Sequence, residues 1–166
     1  MWLRAELLRR ARKDQWAREA VSTGGAWSVV QRINADNTCW LAAIIGSRGW
    51  PGHRLVGADG AHAAWLLAQH SSSEYRAAWL DLLRSAVERG DARARDLAFL
   101  EDRVRVEQGL AQRHGTQWGG PTGSTVRLFP LADAHVNPRR AALGLPLISE
   151  CDLANAWSHT DLATQT

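Results

Sequence analysis

Residues 2–21, WLRAELLRRARKDQWAREAV, decide the fold class. Leu3, Leu7 and Leu8 recur at intervals of three and four, which is the spacing of one face of an α-helix. The glycines of STGG, at 22–25, end this helix because glycine tolerates the left-handed conformation of a helix C-terminus. The same spacing predicts four further helices, at about 26–47, 60–70, 74–89 and 92–111. The chain is therefore predicted to be all-α.

A glycine- and proline-rich segment follows the five helices. Residues 115–138 hold four of the 14 glycines and three of the five prolines, a composition typical of a long ordered loop. The elements predicted in and beyond the loop are short, namely a strand at 125–129 and helices at 138–144 and about 150–158. The predicted architecture is a single-domain helical bundle of about five main helices over residues 1–157, followed by a polar tail at 158–166.

The charge pattern excludes several classes of partner. Charged residues make up 22% of the chain and the formal net charge is +3. Basic residues alternate with acidic ones except at 9–13, so no continuous basic stripe for a nucleic acid is predicted. No apolar run reaches the ~20 residues of a membrane span, and the charged N-terminus lacks the apolar core of a signal peptide. We expect a cytoplasmic protein without nucleic-acid or membrane partners, and its oligomeric state stays open.

No cofactor or metal is predicted. Cys39 and Cys151 are expected to be buried or free thiols, because a sparse pair in a cytoplasmic protein is seldom a bridge. Metal-binding pairs such as CxxC or HExxH are absent from the sequence. A metal site remains an alternative with little support from the spacings. The histidines that it would combine with an aspartate are His53, His62, His70 and His114.

Several helices carry polar side chains on the face expected to be apolar. Asp14 and Arg18 continue the line of Leu3 and Leu7 and lie four residues apart, so they can pair. Asp102 lies on the apolar strip of the fifth helix. A carboxylate buried alone would take up a proton, so both aspartates are expected to have partners. These groups predict either a polar pocket or a buried polar network that fixes how the helices meet.

The segment GLAQRHGTQW, residues 109–118, extends this set of polar groups. It places Gln112, Thr116 and Gln117 within one or two turns of the end of the fifth helix. Gly115 allows the backbone to turn back toward the interior. The segment either lines a site or closes the helix through side-chain capping, and the sequence leaves both interpretations open.

Tryptophan is unusually frequent, with nine residues against two phenylalanines and one tyrosine. Trp16 lies on the first helix and is expected in or near the core. Trp50 lies in a glycine- and proline-rich connection, where its ring could wall a pocket or anchor a loop to the core.

Six motifs resemble a bacterial family classed as a domain of unknown function. The motifs are DQWAR (14–18), GWPGHRLVG (49–57), AQH (68–70), LAFLEDR (97–103), GLAQRHGTQ (109–117) and RRAALGLPL (139–147). The resemblance spans residues 14–150. The resemblance implies a tyrosine where this chain has His114, so substrate or proton chemistry can differ here. It marks a candidate site and implies no reaction.

The favoured hypothesis is a small cofactor-independent acid–base enzyme, of hydrolase, lyase, isomerase or cyclase type. It would act on a small polar metabolite, with bacterial specialised metabolism as the expected setting. Imidazole titrates near neutrality, so His70 is expected to transfer a proton while Asp102 or Asp14 orients it. Arginine would hold a substrate carboxylate and amides would position the substrate. The predicted catalytic residues are His70, Asp102 and Asp14, and the predicted substrate-binding residues are Arg18, Asn37, Trp50, Gln69, Arg103, Gln112, His114, Thr116, Gln117 and Arg140.

Two alternatives remain from the sequence. A binding module would use the same pocket for a metabolite without transforming it. A structural or protein-interaction domain would use the polar groups only to set helix register. The presence of a pocket would separate the first alternative from the second, and turnover would separate an enzyme from both.

Overall fold

A computed structural model describes residues 2–120, 125–158 and 160. Within them the chain is mainly helical, which confirms the all-α prediction. In chain order the elements are α1 (Trp2–Ser22), α2 (Trp27–Arg48), α3 (His53–Gln69), α4 (Ser73–Glu88), α5 (Ala94–Glu107), β1 (Trp118–Gly119), β2 (Arg127–Leu128), α6 (Val136–Ala142) and α7 (Glu150–Ala154).

The chain divides into two compact units, Met1–Asp96 and Leu97–Thr166. In the first unit α1 packs against both α2 and α3, and α3 also contacts α4. Burial of apolar faces drives this packing, and Leu7 and Leu41 are fully buried in it. That residues 1–157 form a single domain stays a prediction.

The face that α1 buries differs in one respect from the expected one. Its buried residues are Leu7, Ala11, Asp14 and Ala17. Trp16 lies off this face and is 65% exposed, so its predicted place in or near the core is wrong. The buried strip of α1 keeps the three- and four-residue spacing and includes Asp14. The indole of the neighbouring Trp16 lies outside the strip.

The third helix begins at His53, earlier than the predicted start near residue 60. The backbone of Gly57 (φ 73°, ψ 169°) interrupts it, so a short helical turn precedes the main helix. Asp91 holds that first turn in place, since its carboxylate accepts a hydrogen bond of 2.8 Å from the Arg54 N–H. The connection between α2 and α3 is consequently short.

The fifth helix ends at Glu107, before the predicted end near 111. Gly109 adopts φ +71°, and the Leu110 N–H donates to the Arg105 carbonyl at 2.8 Å. This is the pattern of a Schellman motif, in which a left-handed glycine closes the helix. The whole segment 109–118 therefore lies outside the helix.

The second unit contains a two-stranded antiparallel sheet. Trp118 of β1 pairs with Leu128 of β2, so the predicted strand at 125–129 is confirmed in its central residues. Leu128, Val136 and Ile148 form a buried apolar cluster beside it. Gly115 (φ +63°) lies so close to this cluster that an added Cβ would collide with Ile148 Cδ1. A glycine is required there on both counts.

None of the helices in the described part of the chain combines the length and the hydrophobicity that a membrane crossing requires.

Candidate functional site

Asp14 of α1 is the centre of a polar cluster in the first unit. Its side chain is completely buried, and its Oδ2 atom accepts three hydrogen bonds. The donors are His70 Nδ1 at 2.7 Å, Gln15 Nε2 at 3.0 Å and Arg18 Nε at 3.2 Å. The Asp14–Arg18 contact confirms the pairing predicted from their four-residue spacing. The histidine comes from the end of α3, 56 residues away in the chain.

The carboxyl of Asp14 is held in its ionised form. Burial is the largest influence and raises its pKa, but the hydrogen bonds and positive charges of His70 and then of Arg18 act in the opposite direction. The net effect is a pKa below the ordinary value for aspartate. A buried carboxylate paired in this way retains its negative charge at neutral pH.

When the His70 ring is neutral, the carboxylate charge of Asp14 also fixes its tautomer. The Nδ1 atom lies 2.7 Å from Asp14 Oδ2 and 3.1 Å from Arg18 Nε, which is also a donor. One nitrogen cannot donate to the first and accept from the second at once. The shorter distance and the ionised acceptor select Nδ1 as the donor. Arg18 Nε lies close to His70 Nδ1 because it donates to the Asp14 carboxylate. The Nε2 atom of His70 then carries the lone pair of the neutral ring and can accept a hydrogen bond or a proton.

The His70 ring lines a cavity of about 550 Å³, which we call the His70 cavity. Its lining consists of Gln31, Asn34, Ala35, Thr38, Cys39, His70, Ser71 and Ser72. The volume falls within the range of small-molecule sites. The His70 side chain is 17% exposed, and within the described residues its Nε2 atom has no hydrogen-bond partner.

The other polar groups of the His70 cavity can bind a ligand through hydrogen bonds. Asn34 Oδ1 accepts from Arg18 at 3.0 Å, so the amide N–H₂ of Asn34 remains as a donor. The hydroxyls of Thr38 and Ser71 donate to main-chain carbonyls, which leaves their oxygens as acceptors. Cys39, a free and exposed thiol, also lines this cavity, and Cys151 is likewise free and exposed.

Three further predicted binding residues of the first unit are buried. Asn37 is 4% exposed, and its Oδ1 accepts a hydrogen bond of 3.0 Å from Arg10. Gln69 is 4% exposed beside His70 in the chain. Trp50 is 7% exposed, which favours the interpretation that its ring anchors the α2–α3 connection to the core.

The remaining predicted residues belong to the second unit, where Asp102 is the central group. Its fully buried carboxylate accepts hydrogen bonds from the backbone N–H groups of Arg113, His114 and Thr116 at 2.7 to 3.1 Å, and from the Thr116 hydroxyl at 3.1 Å. Burial raises its pKa most strongly, yet the hydrogen bonds from His114 and these backbone groups lower it below the ordinary value. Asp102 therefore fixes the turn that follows α5.

Gln112 and Arg140 also bond to the turn that follows α5. Gln112 is fully buried; its amide donates to the carbonyls of Gln117 and Phe129 and accepts from the Gln117 N–H. Arg140 Nη1 donates to the carbonyls of His114 and Gly115. Both side chains bond main-chain groups of this turn. This is the capping interpretation of the segment, extended to a whole loop.

His114, Thr116, Gln117 and Arg103 complete the predicted set. The His114 ring lies with Nδ1 3.5 Å from Asp102, and the Gln117 amide donates to the Thr116 hydroxyl at 2.9 Å. Arg103 is half-buried on α5, directly after Asp102 in the chain. The structure thus brings Asp14, Arg18 and His70 together in the first unit, and Asp102, Gln112, His114, Thr116, Gln117 and Arg140 around the turn after α5 in the second. Among the hydrogen bonds of the described residues, it shows no contact of Asn37, Trp50, Gln69 or Arg103 with either aspartate.

Sequence reasoning missed a second aspartate–histidine pair in the first unit. His62 Nδ1 lies 3.1 Å from Asp96 Oδ2, and the His62 ring stacks on Trp65 with centroids 4.8 Å apart. Asp96 is 5% exposed. The sequence offers no signal for this pair, because helical spacing does not relate His62 to an aspartate 34 residues further along the chain.

No group of three or more histidine, cysteine, aspartate or glutamate side chains suited to a metal ion occurs in the described part of the chain. The model of one protein family, described as a family of unknown function (DUF6624), matches residues 3–155. No curated protein and no solved structure matches the chain.

Proposed function

Because the chain belongs to the family of unknown function DUF6624, as its sequence predicted, we propose a function from the chain's own geometry: acid–base catalysis on a small polar molecule in the His70 cavity. The observation that carries the proposal is the 2.7 Å hydrogen bond from His70 Nδ1 to the buried Asp14 carboxylate, on a ring that lines a cavity. An imidazole held in this way is oriented and ready to accept a proton at its other nitrogen.

The proposed step uses two residues in distinct roles. His70 Nε2 takes a proton from the substrate and later returns it to another substrate atom, so no net proton is consumed. Asp14 stays ionised and stabilises the imidazolium that forms between these two transfers. Arg18 lies beside both groups and helps to keep the Asp14 carboxylate ionised. General acid–base catalysis of this kind contributes about 10²- to 10⁴-fold to a rate.

The polar lining supports a small polar substrate. The Asn34 amide, the Gln31 amide and the Ser72 hydroxyl can each form hydrogen bonds with a bound molecule. The proposal includes no cofactor. It also includes the cytoplasmic location, the bacterial source and the absence of nucleic-acid and membrane partners that we expect from the sequence.

Asp102 is left out of the catalytic step, although its residue type suits one. Its carboxylate oxygens are occupied by the N–H groups of the 113–116 turn. Asp14 is the carboxylate that His70 contacts, so the orienting role is proposed for Asp14 alone.

The test compares wild-type protein with His70→Gln and with the control His135→Gln, whose ring is exposed in the second unit. Each protein is incubated with a metabolite extract of the source organism, and the mixture is analysed by mass spectrometry. We expect wild type and the control to convert the same metabolite, and His70→Gln to convert it at least about 10²-fold more slowly.

Two results would contradict the proposed enzymatic function. A metabolite that the wild type retains and releases unchanged would indicate the binding module instead. Equal conversion by wild type and a folded His70→Gln variant would remove His70 from the chemistry. Thermal unfolding and circular dichroism of each variant exclude loss of fold as the cause.

A further inference from the structure

A second concavity of the first unit, of about 530 Å³, combines an aromatic wall with unpaired positive charges. We call it the Trp16 groove; its lining includes Arg12, Trp16, Glu19, His62, Leu66 and Arg93. It shares no lining residue with the His70 cavity. Its volume suits a small molecule.

The apolar part of the groove contains an indole that is not buried in the core. Trp16 is 65% exposed, although α1 buries apolar side chains on its neighbouring face. Leu66 of α3 lines the same groove. An exposed tryptophan beside an aliphatic side chain offers a flat surface on which a ring can stack.

The charged part of the groove has an excess of one positive charge. Within the described residues, neither the Arg12 nor the Arg93 guanidinium forms a hydrogen bond or an ion pair, although the charge of Arg93 acts on Asp96. Asp59, which also lines the groove, is already paired with Arg4 Nε at 2.9 Å. Glu19 is the remaining acidic group of the lining. Among the lining residues, these two guanidinium groups and the Glu19 carboxylate therefore sum to one positive charge.

His62 adds a fixed polar contact to the groove. Asp96 holds its Nδ1 at 3.1 Å, and stacking on Trp65 sets the plane of its ring. Within the described residues its Nε2 atom has no hydrogen-bond partner. This nitrogen can therefore bond to a ligand without any rearrangement of the ring.

We propose that the Trp16 groove binds a small aromatic monocarboxylate, with its ring on Trp16 and Leu66 and its carboxylate bound by Arg12 and Arg93. Arginine matches a carboxylate in geometry and keeps its charge at every physiological pH. The single excess charge favours a monoanion over a phosphate dianion, because a second negative charge would be repelled by Glu19. The site is additional to the His70 cavity, so either can fail without the other.

The experiment titrates the full-length protein with 1-naphthoate by calorimetry and by amide and indole NMR. Neutral 1-naphthamide and 1-naphthyl phosphate serve as comparison probes. We expect naphthoate to bind at least about tenfold more tightly than naphthamide, since a charge-assisted hydrogen bond is worth roughly that factor. It should also bind more tightly than naphthyl phosphate, whose second negative charge is repelled by Glu19. The indole N–H signal of Trp16 should shift on binding.

Matched variants assign the contacts. Arg12→Gln, Arg93→Gln and Trp16→Ala should each weaken naphthoate binding about tenfold. Arg95→Gln is the control for the arginines, because Arg95 is exposed two residues from Arg93 and lies outside the groove lining. Trp2→Ala is the control for Trp16, since both indoles are exposed on α1. Both controls should bind as wild type does.

Four results would overturn the proposal. The first is no binding of naphthoate below about 5 mM, the weak end of specific recognition. The second is equal or tighter binding of naphthyl phosphate or naphthamide. The third is binding that Arg12→Gln and Arg93→Gln leave unchanged. The fourth is a stable dimer in light scattering whose formation protects Trp16, which would make the groove an interface between copies of this chain.

Discussion

Asp14 and Asp96 are both buried and both hydrogen-bonded to a histidine, yet their electrostatic settings are opposite. Burial raises the pKa of Asp14, but His70 and Arg18 lower it more in total. Burial also raises the pKa of Asp96, and there the hydrogen bond from His62 and the charges of Arg93 and Arg95 do not compensate. The contacts differ in two respects. His70 Nδ1 lies 2.7 Å from Asp14 whereas His62 Nδ1 lies 3.1 Å from Asp96, and Arg18 contacts Asp14 directly whereas the described part of the chain shows no arginine ion pair with Asp96.

The first prediction concerns Asp14→Asn. Removing one partner of a buried charge pair typically costs about 3–5 kcal/mol, so we expect a loss of that order in the free energy of unfolding at pH 6. Because the folded pKa of Asp14 is below the unfolded value, its stabilisation is present above about pH 5 and is lost as the pH falls through the folded pKa. Urea unfolding should show the gap between wild type and variant closing toward pH 3.

The control for this experiment is Asp81→Asn. Asp81 pairs with Arg84 on α4 and its side chain is 83% exposed, so its removal should change stability by less than about 1 kcal/mol. A gap for Asp14→Asn that is equally large at pH 3 and pH 6 would show that the loss comes from packing and not from the carboxylate charge.

The second prediction is the opposite slope for Asp96→Asn. The folded pKa of Asp96 lies above the unfolded value, so the folded state favours its protonated form. That contribution is complete below the unfolded pKa and is lost as the pH rises through the folded pKa. Relative to wild type, Asp96→Asn should therefore gain stability between about pH 3 and pH 6. Parallel slopes for the Asp14 and Asp96 variants would contradict the electrostatic assignment.

At the scale of the element, the turn after α5 shows how a polar sequence can be structural. The Schellman motif at Gly109 ends the helix, and Asp102 then gathers the N–H groups of residues 113, 114 and 116. Gln112 fastens the turn to the strand end at Phe129. A buried carboxylate that accepts several backbone hydrogen bonds stabilises one loop conformation, because the alternative leaves those N–H groups unpaired.

The third prediction is local loosening by Asp102→Asn. An amide nitrogen in place of one oxygen would face backbone donors, so the amides of Arg113, His114 and Thr116 should exchange with deuterium at least about tenfold faster. The control is Asp133→Asn, whose carboxylate accepts from the His135 N–H at 2.7 Å and is half exposed. Its effect should reach His135 and its ion-pair partner Arg139 but leave the N–H groups of residues 113–116 protected, because Arg139 bonds the Arg113 carbonyl and not an N–H group. Unchanged protection at 113–116 would refute the role assigned to Asp102.

At the scale of the whole molecule, the sequence predicts helices better than it predicts contacts between them. The spacing of Leu3, Leu7 and Leu8 determines α1, and the same regularity carries Asp14 and Arg18 onto one face. The partner of Asp14 could not be predicted uniquely, because His70 reaches it only through the packing of α3 on α1. A carboxylate on an apolar strip requires a partner but does not identify it.

The same limit explains the missed pair and the misplaced tryptophan. His62 meets Asp96 across 34 residues, a separation set by tertiary structure and not by helical periodicity. Trp16 is exposed because the buried strip of α1 passes through Asp14 and Ala17 instead. A hydrophobic residue is favoured inside a protein, but a single one outside is ordinary. Its neighbours in space, Arg12 and Leu66, give that position its significance here.

The fourth prediction concerns the whole charge distribution. Nucleic-acid affinity depends on contiguous, unpaired basic groups, because each phosphate contact releases counterions. In this chain the cluster at 9–13 is partly neutralised, since Glu6 pairs with Arg9 at 2.6 Å and with Arg10 at 2.8 Å. Despite the net charge of +3, we expect the dissociation constant for duplex DNA at 150 mM salt to be weaker than about 10⁻⁴ M.

Fluorescence anisotropy with a labelled duplex at 50 and 150 mM salt checks this expectation. Glu6→Gln is the informative comparison, because it frees Arg9 and leaves Arg10 with Asp36 as its one remaining ion-pair partner among the described residues. It also changes the net charge by one unit without adding a basic residue. If pairing is what suppresses binding, this variant should bind more tightly at 50 mM salt and lose the gain at 150 mM, where screening is stronger. Tight, steeply salt-dependent binding by the wild type would instead indicate that arginines without an ion pair, such as Arg12 and Arg93, bind a polyanion. That result would contradict the proposal of an aromatic carboxylate as the ligand of the Trp16 groove.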